Sequence, residues 1–429
     1  MRTIKVGILA EEPLFWGSRK HYHEIVLDGY KWTSKNNTYR FSTTYLYDKD
    51  ILEGKLDISN FDVFLIPGGG VGNNEALLKG FNILPSVRRW KKIVKKFVKE
   101  GGGLIGVCGG AALITDLTKG TVEKPRTFIE RKYNKSSLGV SCVKSYFKTL
   151  AFPLFYPFQN KHPEKVGSTG YVFSFGQGEI ADGKRIYTGG APLDFQIEKN
   201  NPIFSDFKKD VERIRWWGGQ AFQLPDNADR EVHVLARFPK KELSEHKSTR
   251  IYAWRYVGGI RGIIKALIKS YKLTKKENLN IRLVPLFAYY LAGDWEKTDK
   301  IIELDFANKP SITAEVYPNE NKARIILSTA HAEYMIWNGG HIEEIDENKF
   351  SCLATGLHQW KNITKLSDTL EYELTHNWWI LRRFAAWVAK VPDEDLPPIC
   401  SSKITKKDRY LISNNIYCND SFINQMKNI

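Results

Sequence analysis

The sequence predicts an α/β fold: a doubly wound, mostly parallel sheet with a large insertion and a helical C-terminal extension. Three observations lead there. Short apolar runs at 4–10, 61–66 and 104–107 have the composition of strands covered on both faces. A strongly amphipathic helix at 88–99 separates the last two, as a crossover between parallel strands requires. The second and third runs end in glycine clusters, at the carboxyl ends where such sheets place their ligand sites.

Taken in order, the run Ile4 to Ala10 reads as the first core strand, since it lacks the apolar stretch and cleavage site of a signal peptide. A helix is expected near 21–34, a second strand at 39–47 and a third at 61–66. In the helix at 88–99, Trp90, Ile93, Val94, Phe97 and Val98 share one face and seven basic residues occupy the rest. Gly101, Gly102 and Gly103 close that helix, and Leu104-Ile105-Gly106-Val107 is the fourth strand.

Cys108 stands at the end of that strand. Gly106, Gly109 and Gly110 relieve the crowding of a sharp strand-to-helix turn, and Ala111 to Ile114 continue as a helix whose start favours a thiolate. This is the logic of a nucleophile elbow with Cys in place of Ser. A small buried thiol in a tight turn would read the same way, so the weight falls on partners. Residues 323–330 read as a strand followed by His331-Ala332-Glu333, in which the histidine could take the thiol proton and the carboxylate could fix its tautomer. Phe61 to Ile66 runs into Pro67-Gly68-Gly69-Gly70, whose backbone amides could serve as oxyanion donors.

Together these segments resemble the class I glutamine amidotransferase-like superfamily, and within it the domain at the amino terminus of biotin–protein ligases. The resemblance covers roughly 1–145 and, less continuously, 185–240 and 310–340. It implies a flavodoxin-like fold with Cys108 as nucleophile, His331 as base and Glu333 as orienting acid. It also implies an oxyanion hole at Gly69 and Gly70 with Gly109 as second donor. Related cysteine hydrolases place a glutamate from the end of the first strand beside the nucleophile, which here points to Glu11 or Glu12. The stretch Tyr187 to Ala191 is similar to one that returns near the pocket in the biotin-ligase-type domain, bringing in Gly190. Gln220 and Arg237 are candidates for polar contacts to substrate.

Two departures stand out. Glutaminase elbows continue as Cys-x-Gly-x-Gln, but Ala112 occupies the Gln position; the usual His-Pro-Glu is His331-Ala332-Glu333. The 223 positions between Cys108 and His331 require an insertion, placed at about 241–310 within a core spanning 1–345. Residues 346–429 are then a C-terminal helical extension and polar tail. Its helix carries Trp378, Trp379, Leu381, Phe384 and Trp387 and ends before Pro392.

Five cysteines with no Cys-x-x-Cys pair argue against a disulfide framework or structural zinc, and no metal or cofactor is expected. His21 and His23 read as surface residues of a helix start. A reduced cytoplasm is the expected compartment. The net charge of +16, from 64 basic and 48 acidic residues, is spread through a Lys-, Asn- and Ile-rich chain, and no specific nucleic-acid partner is expected. Residues 258–276 form the clearest helix of the insertion, with Ile260, Ile263, Ile264, Leu267, Ile268 and Tyr271 in one stripe. It is expected to be a lid or packing element, and membrane-surface contact is not expected.

The sequence therefore predicts a cysteine-triad amidohydrolase or amidotransferase-like enzyme acting on a small-molecule amide through a thioester. Without a Gly-x-x-x-x-Gly-Lys-Ser/Thr motif, ammonia transfer would need a separate acceptor or synthetase subunit. The alternative is a non-catalytic binding or regulatory module of the biotin-ligase N-terminal type.

Overall fold

The computed structural model describes residues 1–10, 18–35, 37–68, 85–117, 138–145, 180–181, 184–185, 191–216, 220–240, 250–256, 259–276, 281, 284, 295–303, 306–333, 335–337, 374–399 and 402–403. Eleven strands form its main sheet. They are β1 (Arg2–Leu9), β2 (Lys31–Thr33), β3 (Thr38–Leu46), β4 (Val63–Ile66), β5 (Gly103–Val107), β6 (Ala191–Ile197), β7 (Val211–Trp216), β8 (Val232–Arg237), β9 (Pro310–Val316), β10 (Arg324–Ser328) and β11 (Ala330–His331). The helices are α1 (Ser18–Leu27), α2 (Asp48–Leu52), α3 (Pro85–Lys99), α4 (Gly109–Ile114), α5 (Gly259–Lys276) and α6 (Trp378–Val388).

Strand order across the sheet is β11-β7-β6-β8-β9-β10-β5-β4-β1-β3-β2. The five strands β3, β1, β4, β5 and β10 run parallel. Numbered by their own chain order they read 2-1-3-4-5, the flavodoxin-like doubly wound arrangement. The fold class is thus α/β with a flavodoxin-like parallel centre, to which the remaining strands add by antiparallel pairing.

Both faces of the parallel centre are covered, and the period-2 alternation of strand side chains shows how. Phe64, Ile66, Leu104, Ile325 and Leu327 join Trp90, Val94, Phe97 and Val98 of α3 in one apolar cluster. Their neighbours Val63, Leu65, Ile105 and Ile326 join Tyr22 and Val26 of α1 and the tryptophans of α6 in the other. Each fully buried aliphatic side chain contributes about 1.5–3 kcal/mol relative to exposure, so the two clusters hold α3 on one face and α1 with α6 on the other.

The antiparallel half folds back on itself. Only Thr329 separates β10 from β11, yet four strands stand between them in the hydrogen-bonded order. The chain leaving β10 therefore meets β7, with His331 opposite Arg215 and Ala330 opposite Trp216. Trp216, Phe238 and Phe306 pack mutually at ring separations of 5.3–5.7 Å.

Three features depart from the sequence reading or extend it. The helix expected near 21–34 ends at Leu27, because Gly29 takes a left-handed φ of 71° and turns the chain into β2. There Trp32 pairs with Tyr39 of β3, with rings stacked at 5.0 Å. The C-terminal helix is a core element, with Trp378, Trp379 and Trp387 nearly inaccessible. The segment beyond it is tied to the sheet edge, where Tyr39 Oη donates to Asp395 at 2.6 Å and Trp32 Nε1 to the Asp395 carbonyl at 2.8 Å. Finally, among the described residues strands 250–256 and 295–303 pair with each other outside the main sheet and flank α5 in the chain.

Candidate active site

The turn after β5 is tight in a way only particular residues permit. Cys108 has φ 48° and ψ −108°, a backbone conformation that side-chain-bearing residues rarely adopt and that clusters at functional sites. Its amide donates to the Ser328 carbonyl of β10 at 2.6 Å, and its carbonyl accepts from Ala112 N at 3.0 Å and Gln220 Nε2 at 3.1 Å. The glycines are dictated by contact. A Cβ at Gly110 would lie 2.2 Å from the Ile66 carbonyl oxygen, and one at Gly106 would meet Ala111 backbone at 2.9 Å. Gly109 opens α4, so its N–H has no intrahelical carbonyl to meet.

β10 and β11 deliver the histidine. Ser328 pairs with Val107 in parallel register, so the two strand ends emerge side by side and His331 arrives beside Cys108. His331 Nδ1 lies 2.7 Å from Glu333 Oε1. His331 and Cys108 meet at Gly68, where one added Cβ would lie against both side chains, and the closeness of Cys108 helps favour the protonated imidazole. Cys108, His331 and Glu333 are thus brought together, and both members of the His–Glu pair are 1% exposed.

The electrostatics follow from burial and charge. Burial opposes a charge on His331, but the Glu333 carboxylate and the hydrogen bonds to Cys108 and Glu333 outweigh it and push the imidazole up to about 9. Burial likewise favours a neutral Glu333, yet His331 and then His23 hold the carboxyl below its ordinary value. The pair is therefore an imidazolium–carboxylate at neutral pH.

Two further residues join this centre. His23 of α1, expected at the surface, is fully buried with Nε2 3.8 Å from Glu333 Oε1. Gly68 faces the dyad directly: a Cβ there would lie 2.6 Å from His331 Cε1 and 3.0 Å from Cys108 Cβ. A clue to Gly68 lay in the Pro-Gly-Gly-Gly run itself, whereas His23 had only its place on the helix after β1. Trp378 Nε1 donates to the Glu333 carbonyl at 3.0 Å, so α6 buttresses the chain just after β11.

Of the remaining candidates, Gln220 is buried against the elbow as described. Arg237 is three strands away on β8, where its guanidinium pairs with Glu198 at 2.6 Å and donates to the Asn308 carbonyl at 3.2 Å. Glu12, Gly69, Gly70 and Gly190 lie outside the described residues. Among the described residues no helix is long and apolar enough to cross a membrane.

No family model matches the chain. No curated protein matches it either. Among solved structures it is similar to a glutamine amidotransferase from Thermotoga maritima, with 10% identity, 99% of each chain covered and a TM-score of 0.31. It is also similar to the protein SMU.1228c, with 11% identity over 92% of this chain and 97% of that one and a TM-score of 0.26. At such scores the likenesses add no weight of their own, and the fold rests on the strand order and register given above.

Proposed function

We propose that the chain is a cysteine-dependent amidohydrolase or glutamine amidotransferase-like enzyme, related to the N-terminal domain of biotin–protein ligases. The observation that carries this reading is the buried His331 imidazole, bonded to Glu333 and packed against Cys108, which stands on a strained elbow at the carboxyl end of β5. A structural thiol needs neither a base nor a left-handed backbone.

In this reading the Cys108 thiolate attacks the carbonyl carbon of an amide, and the oxyanion rests on the Gly109 amide together with donors of the 68–70 loop. The His331 imidazolium gives its proton to the leaving nitrogen as the C–N bond breaks, leaving a thioester and a neutral imidazole. That imidazole then takes a proton from water, whose oxygen attacks the thioester and releases a carboxylic acid and the thiolate. Glu333 holds the ring and stabilises its positive charge at both stages. Ammonia, if kept rather than released, would pass to a partner's acceptor site.

The second reading, a pocket that binds without turnover, draws support from Ala112, whose methyl cannot hold a substrate amide as the usual Gln does. Chloroacetamide labelling separates the two. Cys142 is an internal control, since burial and then the Glu315 charge push its thiol up to about 12. Enzymatic chemistry predicts fast alkylation of Cys108 that falls about 10²-fold or more in His331→Ala. A Cys108 no faster than Cys142, or unaffected by that change, would leave only binding.

A further inference from the structure

Helix α5 turns the wrong face inward for a packing element. Among the residues of α5 whose burial is described, those buried are the small ones, Ala266, Ser270 and Thr274, each 2% exposed or less and spaced four apart along one side. Its bulky stripe points outward: Ile260, Ile263, Ile264, Leu267, Ile268 and Tyr271 are all exposed, from 39% to 78%. These are six of the eleven large apolar side chains exposed among the described residues, gathered on this one helix. Contiguous exposure of this kind marks an interaction site rather than ordinary surface.

The rest of the helix says what it meets. Arg261, Lys265, Lys269, Lys272 and Lys276 fill the arc beside the apolar stripe, Lys275 lies at the stripe's C-terminal end, and the helix has no acidic residue. At 100° per residue the outward surface divides into an apolar half and a basic half, with the small-residue arc underneath. From this division we infer that α5 lies flat on an anionic lipid bilayer, with its isoleucines and leucines among the acyl chains and its lysines at the phosphates. The 18 residues span about 27 Å, the lysine stems reach sideways to the headgroups, and attraction to anionic lipid adds to the buried apolar area. A second copy is a poor occupant, since face-to-face helices would bring six cations against six with no carboxylate between them. The sequence reading took this helix for a lid or packing element, but the outward stripe favours the lipid surface.

The experiment is flotation of the full chain with vesicles of phosphatidylcholine, alone or mixed with phosphatidylglycerol, at low and high salt. The expected result is partition into the mixed vesicles only. Ile264→Glu with Leu267→Glu should abolish it, and Lys265→Ala with Lys269→Ala should reduce it on the order of tenfold or more. Both pairs of positions are exposed, so circular dichroism should show the fold unchanged in each variant. The inference is overturned if the protein does not float with anionic vesicles, or if the glutamate variant floats as well as the parent. It is equally overturned if the glutamate variant dissolves a dimer present in the parent.

Discussion

At the scale of single residues, the site depends on a close approach that leaves no slack. Gly68→Ala would drive a methyl into the His331 ring at 2.6 Å, and the ring is pinned by Glu333 on one side and Cys108 on the other. The expected cost is about 1–3 kcal/mol of stability from overpacking, with a much larger loss of Cys108 alkylation, because the imidazole must rotate off the thiol. Unchanged alkylation at pH 7 would show that the ring can move without consequence. His23 gives a second, subtler expectation. Its imidazole, 3.8 Å from the carboxylate, is among the causes that hold Glu333 low, so His23→Gln should raise the Glu333 pKa and move the acid-side loss of Cys108 reactivity to higher pH, while reactivity at pH 8 stays near that of the parent. An acid limb that does not move would exclude a role for His23 in holding the carboxylate charge. The three residues Cys108, His331 and Glu333 were legible because each sits where a buried strand ends beside small residues. His23 was not, since Glu24 and His21 beside it give the helix no apolar pattern that marks the inward face.

At the scale of elements, the parallel strands and the helix before β5 were readable to within a few residues, since each is an apolar run or a 3.6-residue stripe. Strands β6 and β7 escaped because charge interrupts their alternation. Asp194 and Arg213 face each other in register and pair at 2.6 Å, while Glu212 and Arg215 are buried outright. Such pairings are visible only once the partner strand is known. The aromatic density of α6 did announce a buried helix, and its packing now gives a magnitude. Trp379 lies 5.6 Å from Phe204 and 5.2 Å from Phe207, so Trp379→Ala should cost roughly 3–5 kcal/mol in urea unfolding, whereas Glu394→Ala, on the exposed turn beyond it, should cost under about 0.5 kcal/mol. Equal effects at the two positions would mean that α6 is not part of the cooperative core.

For the whole molecule, the closing back of the antiparallel half is what the sequence could not disclose, because it depends on pairing between strands more than a hundred positions apart. That closure carries His331 from β10 to β7 and leaves the His331–Glu333 pair 1% exposed, which makes this pair a contributor to global stability. The sign follows from the two shifts. His331 is raised when folded, from 6.5 to about 9, so its contribution is complete below pH 6.5 and is lost as pH rises through about 9. Glu333 is lowered, so its contribution is present above its ordinary value of 4.5 and is lost as pH falls through the folded value. Stability should therefore be greatest at mildly acidic to neutral pH and decline on the alkaline side by on the order of 3 kcal/mol, at about 1.4 kcal/mol per pKa unit. Glu333→Gln removes the charge that raises the imidazole, so its melting temperature should lose the decline between pH 6.5 and 9 while starting from a lower plateau. If parent and variant decline in parallel over that range, the alkaline loss belongs to other groups and the buried ion pair is not what couples this site to the fold.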